Sequence, residues 1–428
     1  MQQNGKSRDE VFTALAEAHQ GDAEWKRGRT FSLVYFAGDE SLEVIRQAYA
    51  SYIHENGLSM DAFPSLRRFE QEVLKNGCAL FGGASCGSMT SGGTESILMA
   101  MKAARDWGRA ERGGARTVIV PSTAHPAFDK AAHTLGLRLV KVPVGADFRA
   151  DLVATEAAID ADTIMLVGSA FSFPHGVVDD IPALATLARD RGLLCHVDAC
   201  LGGFVLAFAD EPVPFDFRVP GVTSLSADLH KYGYAAKGAS LVLYRDRSLR
   251  RHQFFATIDW PGGLYGSPTM AGTRPGGAIA AAWAIQQYLG RDGYVRLTRQ
   301  VLASAQLLRE GIAAIPGLRL LGDARHSVIA FTGDGLDVFA VDERLRRLGW
   351  HLDRLQAPSG VQMIVSAAHA GVEDAFLDDL RAITTEVRDN GLAAEADGAI
   401  YGALATMPDR ELVGDLVLGW LDGHDNEG

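Results

Sequence analysis

The sequence has few cysteines, no long apolar run and no excess of positive charge, and each shortage excludes a class of protein. Four cysteines in 428 residues are too few for a disulfide framework, and since none are spaced as CxxC, neither a zinc ribbon nor a thioredoxin-like site is expected. A reduced, cytoplasmic setting is the plain interpretation. The longest apolar run, residues 278–285, is far shorter than the ~18 residues that span a membrane. The start of the chain lacks the apolar core of a signal peptide.

The charge balance is acidic, because 41 Lys and Arg residues face 53 Asp and Glu residues, for a net charge of −12. A nucleic-acid binder would carry a basic footprint, so that class is excluded, whereas a local basic pocket for a phosphorylated small molecule is not. With 47% hydrophobic and 22% charged residues, the composition excludes disorder, collagen and coiled coil. We expect a soluble protein of enzyme size.

Short apolar runs alternate with helical periods between about residues 90 and 245, which predicts parallel βαβ units in an α/β sheet covered on both faces. After about residue 300 the pattern changes to that of a smaller α+β unit. We therefore predict an N-terminal arm with a helix at 1–55, a large α/β domain at 56–300 and a small C-terminal α+β domain at 301–428. In the large domain the predicted strands are 117–120, 137–142, 164–167 and 193–197, and the predicted helices are 97–107, 126–135 and 182–191.

The first motif with chemical content is Thr-Ser-Gly-Gly-Thr-Glu-Ser at residues 90–96, directly before a predicted helix. Two glycines let the backbone approach a ligand closely, and the free N–H groups of a helix start favour an anion. The ordinary alternative is an N-cap formed by Ser91 or Thr94. Taken alone, the motif favours the ordinary alternative, since it is neither GxGxxG nor a P-loop.

Two further motifs follow on the same domain. Asp198 ends an apolar strand, where open α/β sheets bind ligands and where a carboxylate can hold a cationic ring nitrogen; the alternative is an Asp that caps the next turn. Lys231 lies between His230 and Tyr232, an unusual setting for a solvated surface lysine, and lysines attack carbonyls to form Schiff bases. An anion cradle, a strand-end Asp and such a Lys are together what pyridoxal phosphate needs.

Four stretches, in this chain order, resemble those of the sphingosine-1-phosphate lyases, in the group II decarboxylase-like branch of the fold-type I pyridoxal phosphate enzymes. They are TSGGTESILMA at 90–100, HVDACLGGF at 196–204, SADLHKYGYAAKGASLVLY at 226–244 and PTMAGTRPGG at 268–277. The likeness runs from about Thr30 to residues 398–402. Eukaryotic members carry an N-terminal membrane helix and this sequence shows none, so it resembles the soluble bacterial type.

The resemblance implies a fold-type I transferase fold, with a mostly parallel central sheet in the large domain, and a role for each matching residue. Lys231 would form the Schiff base with pyridoxal 5'-phosphate, Asp198 would pair with the pyridinium nitrogen, and His125 would stack on the ring. On sequence alone, a helix-cap or core histidine is the preferred interpretation of His125. Further residues of the cofactor site would be Gly93, Thr94 and His230, with Gly272 and Thr273 reaching into the neighbouring subunit of a homodimer.

The resemblance also implies a substrate-phosphate site made of Tyr35, Lys237 and a histidine from the partner chain. Lys237 lies six residues after Lys231, as in the family, and Tyr35 lies where the tyrosine is expected. Ser59 stands where the family has the histidine, which removes one cation and puts the exact substrate in doubt. We expect no metal, because no His, Cys and Asp residues have metal-ligand spacing.

The activity implied is retro-aldol cleavage of a phosphorylated sphingoid base to a fatty aldehyde and phosphoethanolamine. The base that removes the C3 hydroxyl proton stays open between Lys231, a tyrosine near Lys237 and the substrate phosphate. An amino-acid decarboxylase of the same branch is the main alternative, since it would share every cofactor residue. A non-enzymatic member is the second, and the intact Lys231 and Asp198 argue against it.

Overall fold

A central sheet of seven strands organises the computed structural model, which describes residues 4–323 and 325–424. Its strand order is β1-β7-β6-β5-β4-β2-β3; β2 to β6 run parallel, and β7 runs antiparallel to both of its neighbours. This confirms the predicted α/β class with a mostly parallel sheet. The strands are β1 (Cys86–Thr90), β2 (Thr117–Pro121), β3 (Arg138–Val142), β4 (Thr163–Ser169), β5 (Leu194–Asp198), β6 (Ser224–Ala227) and β7 (Ser240–Tyr244).

The sheet is covered on both faces, because every residue of β1, β2, β4, β5, β6 and β7 is buried. Apolar runs without alternation are what such strands require. The helices are α1 (Arg8–Ala18), α2 (Asp39–Ser51), α3 (Pro64–Leu80), α4 (Gly93–Glu111), α5 (Ala127–Leu135), α6 (Leu152–Ala157), α7 (Ile181–Asp190), α8 (Gly203–Phe208), α9 (Arg247–Arg251), α10 (Gly276–Ala313), α11 (Val338–Arg347), α12 (Glu373–Asn390), α13 (Asp397–Thr406) and α14 (Arg410–His424).

Local signals explain where these elements begin and end. The Asp180 side chain accepts a hydrogen bond from Ala183 N at the start of α7, Pro182 lies in its first turn, and Gly192 follows its end with a φ of +63°. Proline at a helix start and glycine just past a helix end are the expected asymmetry. The predicted strands and helices of the large domain are confirmed to within a few residues, and α4 begins earlier than predicted, at Gly93.

A second sheet lies near the C-terminus, with strand order β10-β11-β13-β12 and antiparallel pairing throughout. The chain near Phe31 is bound to this part of the fold, because Phe31 N donates to His351 O at 2.9 Å and its ring packs against Trp350 and Phe376. A two-stranded hairpin, β8 with β9, completes the strands. Their bounds are β8 (Phe255–Thr257), β9 (Tyr265–Ser267), β10 (Leu318–Leu320), β11 (Val328–Gly333), β12 (Asp353–Gln356) and β13 (Ser359–Ile364).

Helix α10 packs on α2 and α3 and on the second sheet, and non-helical backbone angles at Gly290 mark a kink within it. The sequence predicts a helix only at 301–312, inside its second part, because residues 278–285 read as an alanine-rich apolar run. The division of the chain at residues 55 and 300 stays a prediction; residue 300 lies inside α10.

Candidate active site

A cavity of about 370 Å³ opens where β5 and β6 end and α4 begins. This is the carboxyl edge of the parallel strands, where α/β sheets bind ligands, and the volume suits a small molecule. The cavity brings together six residues that the sequence singles out: Gly93, Thr94, His125, Asp198, His230 and Lys231. It adds Glu95, Cys200 and Asp228, to which sequence reasoning assigned no role.

Lys231 and Asp228 form an ion pair inside the cavity, with Lys231 Nζ 2.9 Å from Asp228 Oδ2. Burial alone would lower the pKa of Lys231, but the Asp228 carboxylate outweighs burial and raises it. Burial alone would likewise raise the pKa of Asp228, but Lys231 and His230 outweigh it and hold that pKa well below its ordinary value. Asp228 therefore positions the lysine and keeps it protonated in this state.

Asp198 is the last residue of β5 and is almost completely buried. Cys200 N donates to its Oδ1 at 3.1 Å and Ser226 Oγ donates to the same oxygen at 3.3 Å. The turn-capping contact considered from sequence is thus present. Because both of these hydrogen bonds end on Oδ1, Oδ2 is the oxygen with which a ligand N–H can pair.

The anion cradle lies between β1 and α4. The N-cap of α4 is Gly92, which has no side chain with which to cap the helix, so the capping alternative with Ser91 or Thr94 is wrong, and the first N–H groups of α4 are left for a ligand. A Cβ atom added to Gly93 would lie 2.8 Å from Cys200 Sγ and 2.9 Å from the Asp228 carboxylate oxygens. Only glycine fits there without displacing them.

Glu95 joins this cradle to a distant loop. Its Oε2 accepts from Ser91 N at 2.7 Å, and its Oε1 accepts from Met270 N at 2.8 Å and Ala271 N at 3.3 Å. The sequence indicates only an acidic residue in a helix first turn. Its partners Met270 and Ala271 lie about 175 positions away along the chain, so nothing local reveals the link to this loop.

Backbone contacts fix the tautomers of the two cavity histidines. Nδ1 of His230 accepts from Gly238 N at 3.3 Å and Ala239 N at 3.2 Å, so its proton lies on Nε2, 3.5 Å from Asp228 Oδ2. Nδ1 of His125 accepts from Ala127 N at 3.1 Å, which is the helix-cap contact considered from sequence, and its ring still lines the cavity. Each ring therefore retains Nε2–H as a hydrogen-bond donor.

Lys237 and Tyr35 lie together although they are distant in sequence. Lys237 Nζ donates to Leu33 O at 2.6 Å and to His230 O at 3.4 Å, and it lies 5.2 Å from the centre of the Tyr35 ring. Burial of the amine, together with the positive charge of Lys231, lowers the pKa of Lys237. Burial raises the pKa of Tyr35 well above its ordinary value, so its hydroxyl keeps its proton.

Residues 20–333 match the family model described as the pyridoxal-dependent decarboxylase conserved domain. The chain belongs to this family. It is 43% identical to a sphingosine-1-phosphate lyase of Arabidopsis thaliana, over 97% of this chain and 79% of that protein, and 42% identical to sphingosine-1-phosphate lyase 1 of Rattus norvegicus, over 98% and 75%. The structure of the Burkholderia pseudomallei sphingosine-1-phosphate lyase is similar at 38% identity, with a TM-score of 0.88 over 91% of this chain and 93% of that one. Glutamate decarboxylase of Lactobacillus brevis, at 18% identity and a TM-score of 0.80, shares the fold.

A pyridoxal-dependent decarboxylase family member uses pyridoxal 5'-phosphate, and the cavity fits that group. The first turn of α4 supplies N–H donors for a phosphate, and Asp198 supplies a carboxylate for a ring N–H. Asp228 Oδ1 is buried without a hydrogen-bond partner among the described atoms, which marks an acceptor that a bound group can satisfy.

Five of the predicted site residues do not line this cavity: Tyr35 and Lys237, described above, and Ser59, Gly272 and Thr273. Ser59 and Thr273 are exposed, and the segments that carry them run side by side, because Gly57 N donates to Arg274 O at 2.8 Å and Asn56 Nδ2 lies 3.5 Å from Thr273 Oγ1. Gly272 belongs to the same stretch. The structure therefore brings the two segments together, and none of these three residues lines the cavity of its own chain.

Other features of this family member add no further chemistry. Burial raises the pKa of Cys200 well above its ordinary value, so it lines the cavity as a thiol. Within the described residues, no group of three or more His, Cys, Asp or Glu side chains is placed to hold a metal ion. Among the helices of that same part of the chain, none is long and apolar enough to cross a bilayer.

A larger cleft of about 1250 Å³ contains paired charges such as Arg299 with Asp210, 2.8 Å apart, and none of the predicted site residues.

Proposed function

We propose that the protein cleaves the C2–C3 bond of a phosphorylated long-chain 2-amino-3-hydroxy base, of the sphingosine 1-phosphate type. The products are a fatty aldehyde and phosphoethanolamine. The observation that carries this proposal is the contact of Lys237 with Tyr35 beside the loop of Lys231. A phosphate-binding cation on the same loop as the cofactor lysine suits a substrate with an amine at one end of its head group and a phosphate at the other.

The cofactor residues follow from the cavity. Lys231 would attach pyridoxal 5'-phosphate through its amine, Asp198 would pair with its ring nitrogen, and His125 would lie along its ring. Its phosphate would be held by Gly93 and Thr94 at the start of α4 and by Nε2–H of His230. When bound, the cofactor supplies an electron sink for the pair left on carbon when a bond beside the amine breaks.

The chain's own residues bind the substrate and move protons. The Lys237 ammonium supplies a compact positive charge for the phosphate, and the Tyr35 hydroxyl donates a hydrogen bond to it. Since burial raises the pKa values of Tyr35 and Tyr232, both keep their protons and serve as donors rather than bases. We propose that the C3 hydroxyl proton leaves to Lys231 Nζ or to the substrate phosphate.

We also propose that the working form is a homodimer with shared sites. Gly272 and Thr273 match the family loop that serves a neighbouring subunit, and they are adjacent to the segment of Ser59, which stands in the place of the family's partner-chain histidine. The exposure of Ser59 and Thr273 supports a role in another chain's site. At this position Ser59 would offer the substrate phosphate an uncharged contact in place of the histidine. The cytoplasmic, reduced setting remains our prediction from the cysteines.

Product analysis tests the function directly. The protein with bound cofactor is incubated with a phosphorylated sphingoid base, and the long-chain aldehyde and CO2 are measured, with Lys231→Ala as the inactive control. We expect aldehyde and phosphoethanolamine in equal amounts and a large preference over the unphosphorylated base. Faster release of CO2 from an amino acid would establish the decarboxylase alternative instead, and no preference for the phosphate would contradict the proposed phosphate contacts of Lys237 and Tyr35.

A further inference from the structure

Glu95 holds two separate segments of the chain, one with each oxygen of its carboxylate. Its Oε2 accepts from Ser91 N at 2.7 Å, within the turn that forms the anion cradle. Its Oε1 accepts from Met270 N at 2.8 Å and from Ala271 N at 3.3 Å, in the loop that follows β9. Hydrogen bonds that end on a carboxylate are stronger than those between neutral groups, so this side chain fixes the loop against the cradle.

The loop at residues 268–274, which contains no helix or strand, is also fastened at each end. Pro268 O accepts from Gln253 Nε2, and Arg274 forms a buried ion pair with Glu70. None of these four residues lines the cofactor cavity, whereas the attachment at the centre of the loop ends on a residue of the cavity wall. The position of the middle of the loop therefore depends on the cavity wall.

In the proposed homodimer with shared sites, on which this inference rests, the same loop serves the neighbouring subunit through Gly272 and Thr273. Gly272 directly follows Ala271, and the N–H of Ala271 is held by Glu95. Thr273, the next residue, is exposed and does not line the cavity of its own chain. A side chain of one cofactor cavity thus governs where residues of the other site lie.

We propose that Glu95 is a positioning residue for the neighbouring subunit's cofactor site and acts through the loop at 268–274. Each site of the dimer then depends on two copies of Glu95. Its own copy holds the cradle through Ser91, and the neighbour's copy places Gly272 and Thr273. Loss of the neighbour's copy should therefore weaken a site whose own cavity is intact.

Mixed dimers with a single competent site test this assignment. One chain carries Lys231→Ala and supplies its loop, and the other carries Thr273→Arg and supplies Lys231; two different affinity tags allow the mixed dimer to be purified. Glu95→Ala is introduced only in the loop-supplying chain. The concentration of pyridoxal 5'-phosphate that half-saturates Lys231 is measured by borohydride reduction and peptide mass. The mass in solution and kcat/KM for a phosphorylated sphingoid base are measured in parallel.

The matched control is Glu343→Ala in the same loop-supplying chain. Glu343 resembles Glu95 because it also accepts from three backbone N–H groups, at 2.8–2.9 Å, but it lies on α11 and does not line the cavity. This variant therefore reproduces the loss of a carboxylate that fastens a distant segment. It should bind the cofactor as well as the unmodified mixed dimer does.

We expect Glu95→Ala in the loop-supplying chain to raise the half-saturating cofactor concentration about ten-fold and to lower kcat/KM at a fixed cofactor concentration. An unchanged half-saturating concentration in a verified mixed dimer would overturn the assignment, since Glu95 would then serve only its own cradle. Failure of this variant to form the mixed dimer, or a monomeric mass for wild type, would overturn it as well. Attachment of the cofactor to Lys231 requires no bond cleavage in a substrate. A wild type that binds the cofactor but cleaves no phosphorylated base therefore refutes the proposed activity and not this assignment.

Discussion

Replacing Asp228 by asparagine should make the cofactor-free protein take up pyridoxal 5'-phosphate at lower pH. Asp228 Oδ2 lies 2.9 Å from Lys231 Nζ and raises the pKa of that lysine, whereas burial acts to lower it. Only the neutral amine adds to an aldehyde, so the rate of uptake rises with pH toward the lysine pKa. A hydrogen bond to a charged group contributes about 1.5–3 kcal/mol, and about 1.4 kcal/mol corresponds to one pKa unit. The profile should therefore move down by about one to two pH units.

The assay is the rate of cofactor uptake by the cofactor-free protein, followed by visible absorption across a range of pH. Asp342→Asn is the matched control, since Asp342 is a fully buried carboxylate that pairs with Arg346 at 2.8 Å and Arg354 at 2.6 Å away from the cavity. That variant should lose stability as well but keep the wild-type profile. Superimposable profiles for wild type and Asp228→Asn would refute the reasoning, because the carboxylate would then not control the proton on Lys231.

Three further substitutions test the other proposed roles. Asp198→Asn should fold normally and lose roughly ten- to a hundred-fold in kcat with cofactor at saturation, since a charged hydrogen bond is lost; near wild-type turnover would contradict the ring-nitrogen role. Lys237→Ala should lower kcat/KM for the phosphorylated base while leaving the cofactor spectrum intact, and an unchanged preference over the unphosphorylated base would contradict it. Mixing inactive Lys231→Ala with inactive Thr273→Arg protein should restore activity in mixed dimers. No recovery after verified subunit exchange would count against shared sites.

Local patterns predicted the parts of the fold that local forces determine. The βαβ alternation, the bounds of α7 and the strand-end position of Asp198 depend on residues within a few positions of each other. The antiparallel direction of β7 between β1 and β6 was not predicted, because an apolar run identifies a buried strand without its direction or its neighbours. Helix α10 was predicted only in part for a similar reason, since an alanine-rich segment has weak amphipathic periodicity.

The site was predictable where one motif holds the residue and not where two distant segments meet. Asp228 stands three positions before Lys231, so its spacing was visible, but its ion pair depends on how the loop folds after β6. Two other contacts join segments that only the tertiary fold brings together: Glu95 with Met270, and the segment of Ser59 with that of Thr273. The contact of Lys237 with Tyr35 is of the same kind, and family resemblance rather than spacing indicated it.

One loop, residues 228–239 between β6 and β7, carries both Lys231 and Lys237, and the backbone oxygens of Leu33 and His230 hold the second amine in place. With Lys231 on the cofactor and Lys237 on the substrate phosphate, as proposed, this loop determines the length of head group that the site accepts. The distance between the amine and the phosphate of an acceptable substrate would then depend on the spacing of Lys231 and Lys237 along this loop and on the backbone oxygens that hold the Lys237 amine. Engineering the enzyme to accept a longer or shorter head group would therefore require inserting or deleting loop residues.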